Sequence, residues 1–145
     1  MTAKDLSRLR EYVRLLTRKL GLLEKSEASC CGVTLSQCHA IVEIGRAGSI
    51  SVNELASMLG LDKSTMSRAV NNLLEMGLVT REVVPDNRRL LSIGLTAKGR
   101  SLFSEIESSM EKYYQDVYSA LPEDKREQVL ESLEILVRTL PRQCC

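Results

Sequence analysis

The sequence predicts a mainly α-helical fold with one small β hairpin, formed by a chain of 145 residues. Apolar residues recur at spacings of three and four along most of the chain, which is the spacing of amphipathic helices. The stretch from residue 78 to residue 95 departs from this pattern, with β-branched runs on either side of a Pro-Asp-Asn turn. Glycine and proline are scarce, which also favours helices.

The first predicted helix carries a heptad-like stripe, which requires a partner helix. The stripe consists of Leu6, Leu9, Val13, Leu16, Leu20 and Leu23. Residues 26–33 are predicted to form a loop. Thr34 and Gln37 then have the spacing of a capping box, which starts a second helix that ends near Gly45–Gly48.

Two short helices follow, joined by a turn at Gly60. Ser51 is a suitable N-cap for the third helix and Asp62 for the fourth, and Gly77 ends the fourth. Residues 78–84 and 90–95 are the two predicted strands. Thr96 caps a long helix that Pro122 breaks, and a last helix stops at Pro141.

The order helix, turn, helix, strand, turn, strand predicts a winged helix-turn-helix head that binds DNA, with the fourth helix in the major groove. Arginine suits guanine or phosphate, asparagine suits adenine, and serine and threonine suit phosphate. The amides at the helix N-terminus add a phosphate site. Two arginines at the tip of the wing suit a narrow minor groove. The predicted DNA-binding residues are Lys63, Ser64, Thr65, Ser67, Arg68, Asn71, Arg88 and Arg89.

The motifs SVNELASMLGLDKSTMSRAVNNLLEMGLV and NRRLLSIGLTAKG resemble the MarR family of bacterial transcription regulators, and the resemblance covers nearly the whole chain. It implies a single domain, 1–145, that forms a homodimer on a pseudo-palindromic double-stranded DNA operator. Residues 34–99 would be the DNA-binding head, and residues 1–33 and 100–145 the dimerisation helices. The family has Asp, any residue, Arg at the wing tip. Either Asn87 with Arg89 or Asp86 with Arg88 takes those places.

Charge and composition bound the function further. The net charge is +1, and residues 51–99 carry six basic against five acidic residues, so non-specific DNA binding should be modest per chain. No apolar run approaches the ~20 residues that span a bilayer, and the N-terminus lacks the apolar core of a signal peptide, so a cytoplasmic location is expected. No HExxH, phosphate-binding glycine loop or GxSxG motif is present, so an enzyme is not expected.

The five cysteines are the remaining chemical signal, and they are Cys30, Cys31, Cys38, Cys144 and Cys145. In a reducing cytoplasm they are not expected to form a disulfide framework. Thiolates bind soft ions and react with oxidants, so the set is a candidate cysteine sensor. Cys30 and Cys31 are the candidate metal ligands, with a third sulfur from Cys38 or a C-terminal cysteine of either chain. Cys38 as core filler and an inert C-terminal pair are the alternatives.

Three functional hypotheses follow. The first is a homodimeric repressor released from its operator by trivalent arsenic or another soft metal, or by an oxidant, with no required cofactor. The second is the same repressor responding to a small phenolic or organic-anion ligand in a pocket lined by tyrosines. The third is a thiol-rich metal-binding protein with a degenerate DNA-binding head.

Overall fold

The computed structural model describes the chain at residues 1–84 and 87–141, and its side chains at residues 1–21, 32–34, 36–84 and 91–141. The predicted fold class is confirmed, because helices dominate and a three-stranded sheet lies within one part of the chain. The elements are α1 (Ala3–Cys31), α2 (Leu35–Ala47), β1 (Ser49–Ser51), α3 (Val52–Leu59), α4 (Lys63–Glu75), β2 (Val79–Val84), β3 (Asn87–Leu95), α5 (Ala97–Ala120), a 3₁₀ turn (Glu123–Lys125) and α6 (Arg126–Thr139).

The core lies where α2, α3, α4 and the sheet meet. Its largest side chains are completely removed from solvent, and each contributes on the order of 1.5–3 kcal/mol of burial free energy. They are Ile41, Ile44, Leu55, Met66, Val70, Leu73 and Ile93. Ile106 of α5 is also buried in this cluster. The helix-turn-helix segment is therefore a rigid body onto which the start of α5 is packed.

The sheet has the strand order β1-β3-β2, and both pairings are antiparallel. Strand β1 was not predicted, because three residues are too few to show an alternating pattern. The start of β3 was predicted at residue 90, but the strand begins at Asn87, after a register irregularity between Val83 and Val84. The backbone of Arg88 and Arg89 therefore belongs to β3, and the prediction that these residues form the turn was wrong.

The end of α1 also differs from the prediction. Residues 26–33 were expected to be a loop, but the helix continues to Cys31 and ends at Gly32, whose φ is +72°. Residues 26–31 contain neither glycine nor proline, so nothing stops a helix that is already propagating until a left-handed C-cap becomes available. Cys30 and Cys31 consequently lie on the last turn of a helix.

Two glycines set how closely α5 approaches the head. A Cβ atom at Gly99 would lie 2.0 Å from the carbonyl oxygen of Leu78, and one at Gly45 would lie 2.5 Å from the ring of Phe103. Both distances are far below van der Waals contact, so any larger residue would push α5 away from β2 or from α2.

Three helices carry large apolar side chains on their exposed surfaces, namely α1, the second half of α5, and α6. These side chains are Leu6, Leu9, Tyr12, Leu15, Leu16, Tyr113, Tyr114, Val117, Tyr118, Leu130, Leu133, Ile135 and Val137. Among the residues that the model describes, no helix combines the length and the apolar character that crossing a bilayer would require.

Candidate nucleic-acid interface

The N-terminus of α4 is capped by Asp62. Its carboxylate accepts hydrogen bonds from the Thr65 amide and the Ser64 hydroxyl, both at 2.9 Å, and a further bond from the Thr65 hydroxyl. The Thr65 side chain first, and then the Thr65 amide and the Ser64 hydroxyl, hold the pKa of Asp62 well below its ordinary value of 3.8. Asp62 is therefore ionised at neutral pH and lies where the helix dipole favours negative charge.

This cap changes the chemistry available to two predicted contact residues. A hydroxyl has a single hydrogen to donate. Ser64 and Thr65 both donate that hydrogen to Asp62, so in this arrangement their hydroxyls meet DNA only as acceptors. The Thr65 amide also donates to the Asp62 carboxylate, so one backbone N–H fewer is available to a phosphate at this helix end.

The remaining predicted residues of α4 keep most of their donors available for a ligand. Lys63, Arg68 and Asn71 are exposed, and Ser67 is half-buried. The Arg68 Nε atom lies 3.4 Å from the Ser64 carbonyl oxygen, which orients the side chain along the helix and uses one of its five N–H donors. Residues 67, 68 and 71 lie three, four and seven positions after residue 64, so the four residues share one face of α4.

Arg81 is a member of this surface that the sequence analysis missed. It lies on β2, is exposed, and donates from Nη2 to the Oδ1 atom of Asn71 over 2.8 Å. Strand alternation could have indicated this position. Side chains two residues apart lie on the same side of a strand, so Arg81 lies on the side of β2 that carries the buried Val79.

Thr96 ties the wing, α4 and α5 together. Its hydroxyl donates to the Gly77 carbonyl over 2.7 Å and accepts from the Gly99 amide over 3.0 Å. Its own amide donates to the Leu78 carbonyl over 3.0 Å. Lys98 adds a bond from Nζ to the Met76 carbonyl, at the C-terminus of α4. The end of α4 and the start of α5 therefore form one hydrogen-bonded junction.

This arrangement of helices and wing has counterparts among known proteins. Residues 32–90 match the model of the MarR family. In this segment the chain is therefore similar to members of the MarR family. Over 134 residues it is 27% identical to the HTH-type transcriptional regulator BilQ of Clostridium symbiosum, a match that covers 92% of this chain and 93% of that protein. The MarR family consists of transcriptional regulators and not of enzymes.

Solved MarR structures share the fold. A crystal structure of FabT from Streptococcus pneumoniae in complex with DNA superposes with a TM-score of 0.82, at 20% identity, and covers 92% of this chain and 95% of that chain. A MarR transcriptional regulator from Methanosarcina mazei gives a TM-score of 0.77, at 23% identity, covering 91% and 95%. The winged helix-turn-helix architecture predicted from the sequence is thus confirmed.

The structure describes the wing arginines only in part. The backbone of Arg88 and Arg89 lies in β3, whereas their side chains, like Pro85 and Asp86, are outside the described residues. Their contact with a minor groove stays a prediction, as does the choice between the two registers of the wing motif.

A cleft of about 490 Å³ separates α2 from α5. Its apolar wall includes Val42, Ile106, Met110 and Tyr114, and its polar rim is formed by Cys38, His39, Glu43, Arg46, Glu107 and Glu111. The Arg46 Nη1 atom lies 3.9 Å from Glu43 Oε1 on the same helix, and its Nη2 atom lies 3.7 Å from Glu107 Oε1 on α5. Arg46 therefore links the two helices at the edge of the cleft.

The cysteines predicted as a sensor are distributed over three places in the sequence. Cys38 is half-buried on α2, packs against the core and also lines the cleft. Cys30 and Cys31 lie on the last turn of α1, and their side chains are outside the described residues, as are Cys144 and Cys145 entirely. Within the described residues, no group of three or more His, Cys, Asp or Glu side chains is arranged to hold a metal ion.

Proposed function

We propose that this protein is a DNA-binding repressor of the MarR type that acts as a homodimer and inserts α4 into the major groove of a pseudo-palindromic operator. The observation that carries the proposal is the polar face of α4, on which Lys63, Ser67, Arg68 and Asn71 project beyond a fully buried apolar face. FabT, which shares the fold, was crystallised with DNA. A helix that is capped, packed on one side and rich in donors on the other has the form of a recognition helix.

The charge of this surface supports sequence-selective rather than bulk binding. Lys63 and Arg68 lie on α4 and Arg81 on β2, whereas Asp62 is an ionised carboxylate at the start of the same helix. With three basic side chains and one opposing carboxylate on the described part of this surface, one head can make few phosphate contacts there. Two heads on one operator would double that number.

The test is a gel shift on duplex DNA selected by the protein from a random library, with Arg68→Ala and Arg138→Ala compared. Arg138 is an exposed arginine on α6, where it is paired with Glu134, and it serves as the matched control. We expect Arg68→Ala to weaken binding by about 1–3 kcal/mol if it contacts a base, or to reduce the salt slope by about 1 if it contacts a phosphate. Equal affinities of the two variants would refute the role of α4.

The homodimer is supported by the exposed apolar faces of α1, α5 and α6. Leu9 and Leu133 are 51% and 41% exposed, and similar residues continue along each of these helices. Soluble monomers rarely expose contiguous apolar surfaces of this extent. The proposal assigns residues 1–33 and 100–145 to dimerisation and residues 34–99 to the DNA-binding head.

Light scattering on the eluting protein tests the dimer. We expect a mass of twice the 16.2 kDa chain. Leu133→Glu should shift the protein toward one chain, because it places a carboxylate in the proposed apolar interface. Met58→Glu, at an exposed apolar residue of α3, should leave the mass unchanged. A wild-type protein of 16.2 kDa would refute the homodimer.

For the signal, we propose a thiol-directed effector, trivalent arsenic or another soft metal first and an oxidant second. Two neighbouring thiols at the end of α1 precede α2, which carries Cys38 one turn after its start. An ion bound by Cys30 and Cys31, with a third sulfur from Cys38 or a C-terminal cysteine, would connect the dimerisation helices to the head. No cofactor is required for DNA binding itself.

The gel shift on selected DNA also tests this signal. Arsenite should release the wild-type protein, and the double variant Cys30→Ser, Cys31→Ser should remain bound, because it lacks both proposed ligands. The variant Cys38→Ser tests whether Cys38 supplies the third sulfur ligand beside Cys30 and Cys31. Release of the double variant at the same arsenite concentration would contradict the thiol role. Release by peroxide that dithiothreitol reverses, without an arsenite effect, would favour an oxidant as the signal.

The cleft between α2 and α5 supports a second candidate, a small-molecule effector. Its volume suits a drug-sized ligand, and Tyr114 and Met110 offer an apolar wall. Three carboxylates, Glu43, Glu107 and Glu111, face one guanidinium, that of Arg46. This balance favours a neutral phenol over an organic anion. Thermal shifts with phenol and with salicylate distinguish them, and a response to salicylate alone would contradict the electrostatic reasoning.

The proposal competes with one of another class, a thiol-rich metal-binding protein with a degenerate head. That protein would enrich no sequence from the random library at ~150 mM salt, whereas a specific regulator prefers its site by ~10³ or more. A regulator of this kind works in the cytoplasm, where its operator lies.

A further inference from the structure

The hydrogen bond between Arg81 and Asn71 joins the recognition helix to the wing. The Arg81 Nη2 atom and the Asn71 Oδ1 atom are 2.8 Å apart, and both side chains are exposed. A guanidinium has donors and no acceptor, so the atom facing Arg81 must be the amide oxygen. The orientation of the Asn71 amide is therefore fixed by chemistry, with its NH₂ group directed away from Arg81.

Both members of the pair are held on rigid backbone. Asn71 follows Val70 and precedes Leu73, two core residues with no solvent exposure. Arg81 is paired across the sheet with Ile93, which is also fully buried. Because the anchors cannot shift without disturbing the core, the pair is arranged before any DNA arrives, which reduces the ordering cost of a contact.

The occupied amide oxygen changes what Asn71 recognises. An asparagine recognises adenine by accepting from N6 and donating to N7 at the same time. Here Arg81 uses one of the two lone pairs of the Asn71 amide oxygen and places a guanidinium beside the other, and this crowding and positive charge disfavour a second hydrogen bond from the N6 donor of adenine. The pair instead presents N–H groups from both residues. Guanine is the base whose major-groove edge carries two acceptors, N7 and O6.

We propose that Arg81 and Asn71 act as one donor unit that selects guanine in the major groove, in place of the adenine contact that asparagine alone would make. The inference rests on the proposed function, since it requires that α4 enters the groove. It makes Arg81, a residue of the wing strand, a determinant of base specificity at the recognition helix.

The experiment is selection of duplex DNA from a random library by the full-length wild type, Asn71→Ala, Arg81→Ala, Arg81→Lys and the double alanine variant, with Arg138→Ala as the matched control. We expect one guanine in the wild-type site whose preference falls roughly tenfold or more in Asn71→Ala and in Arg81→Ala. The double variant should lose little beyond either single variant, because residues acting as a unit are not additive.

Two variants separate this role from general attraction to DNA. Arg81→Ala frees the amide oxygen, so the same position should gain adenine. Arg81→Lys keeps the charge and three N–H donors but loses the planar fork of the guanidinium, so it should retain part of the guanine preference. Circular dichroism melting confirms that each variant is folded.

Several results would overturn the inference. Base preferences of Arg81→Ala equal to those of the wild type would do so. Selection of adenine by the wild type, at the position whose preference changes in Asn71→Ala, would also do so. Uniform weakening on all sequences, with a lower salt slope, would make Arg81 a phosphate contact and remove the inference as well. A wild type that enriches no sequence would instead refute the proposed function, and this inference with it.

Discussion

Replacing Thr96 with alanine removes the hydroxyl at the junction of α4, the wing and α5. That hydroxyl caps α5 through the Gly99 amide and donates to the carbonyl of Gly77 at the end of α4. Loss of a threonine cap costs about 1 kcal/mol, and loss of a neutral hydrogen bond costs about 1 kcal/mol more. The free energy of unfolding should therefore fall by about 2 kcal/mol, which lowers Tm by about 4–8 °C in a chain of this size.

Denaturant unfolding at one fixed protein concentration measures this change, because the proposed dimer would make the free energy of unfolding depend on concentration. Thr96→Ser keeps the hydroxyl and should lie near the wild type. Ser51→Ala removes a cap from α3 alone and should cost about half as much as Thr96→Ala. The reasoning fails if Thr96→Ala lies within about 0.5 kcal/mol of the wild type, or if the serine variant is as unstable as the alanine variant.

Three further predictions concern packing and capping. Gly99→Ala should lower the free energy of unfolding by about 3 kcal/mol or more, because its Cβ would meet the Leu78 carbonyl; Gly21→Ala, with open space around it, should be neutral or stabilising, and equal effects in urea would contradict this packing. Leu73→Ala should cost about 2–5 kcal/mol as a cavity in the core, seen as a lower urea midpoint, and a midpoint near that of the wild type would show that the site collapses. Asp62→Ala should lower Tm at neutral pH, and the gap to the wild type should narrow as the pH falls through 3.8, because a carboxylate with a lowered pKa stabilises only while ionised; a gap that is constant with pH would argue against the cap.

The head could be predicted because its signals are local. Ser51, Asp62 and Thr96 each accept the backbone hydrogen bond that their sequence position indicates. Glycine at residues 60 and 77 supplies the left-handed conformation that ends a helix. Capping and turn chemistry act over three or four residues, so the sequence displays them directly.

The missed features depend on contacts between distant residues. Strand β1 exists because Ile50 pairs with Ile93, forty-three residues away, and no local pattern marks a strand of three residues. The Arg81–Asn71 bond requires knowing that β2 lies beside α4. The occupied hydroxyls of Ser64 and Thr65 follow from cap geometry, which residue type alone does not reveal.

The length of α5 would convert a small tilt at one end into a large displacement at the other. Its 24 residues extend over about 36 Å, with the head bonded at one end and the exposed tyrosines at the other. The cleft opens beside its middle, at Ile106 and Met110. A tilt of about 5° about the tyrosine end would carry the junction at Thr96 through about 3 Å, and α4 with it. In the proposed dimer, two heads on half-sites about 34 Å apart would then no longer fit the same groove spacing, so a small wedge at mid-helix would be enough to change the distance between the heads.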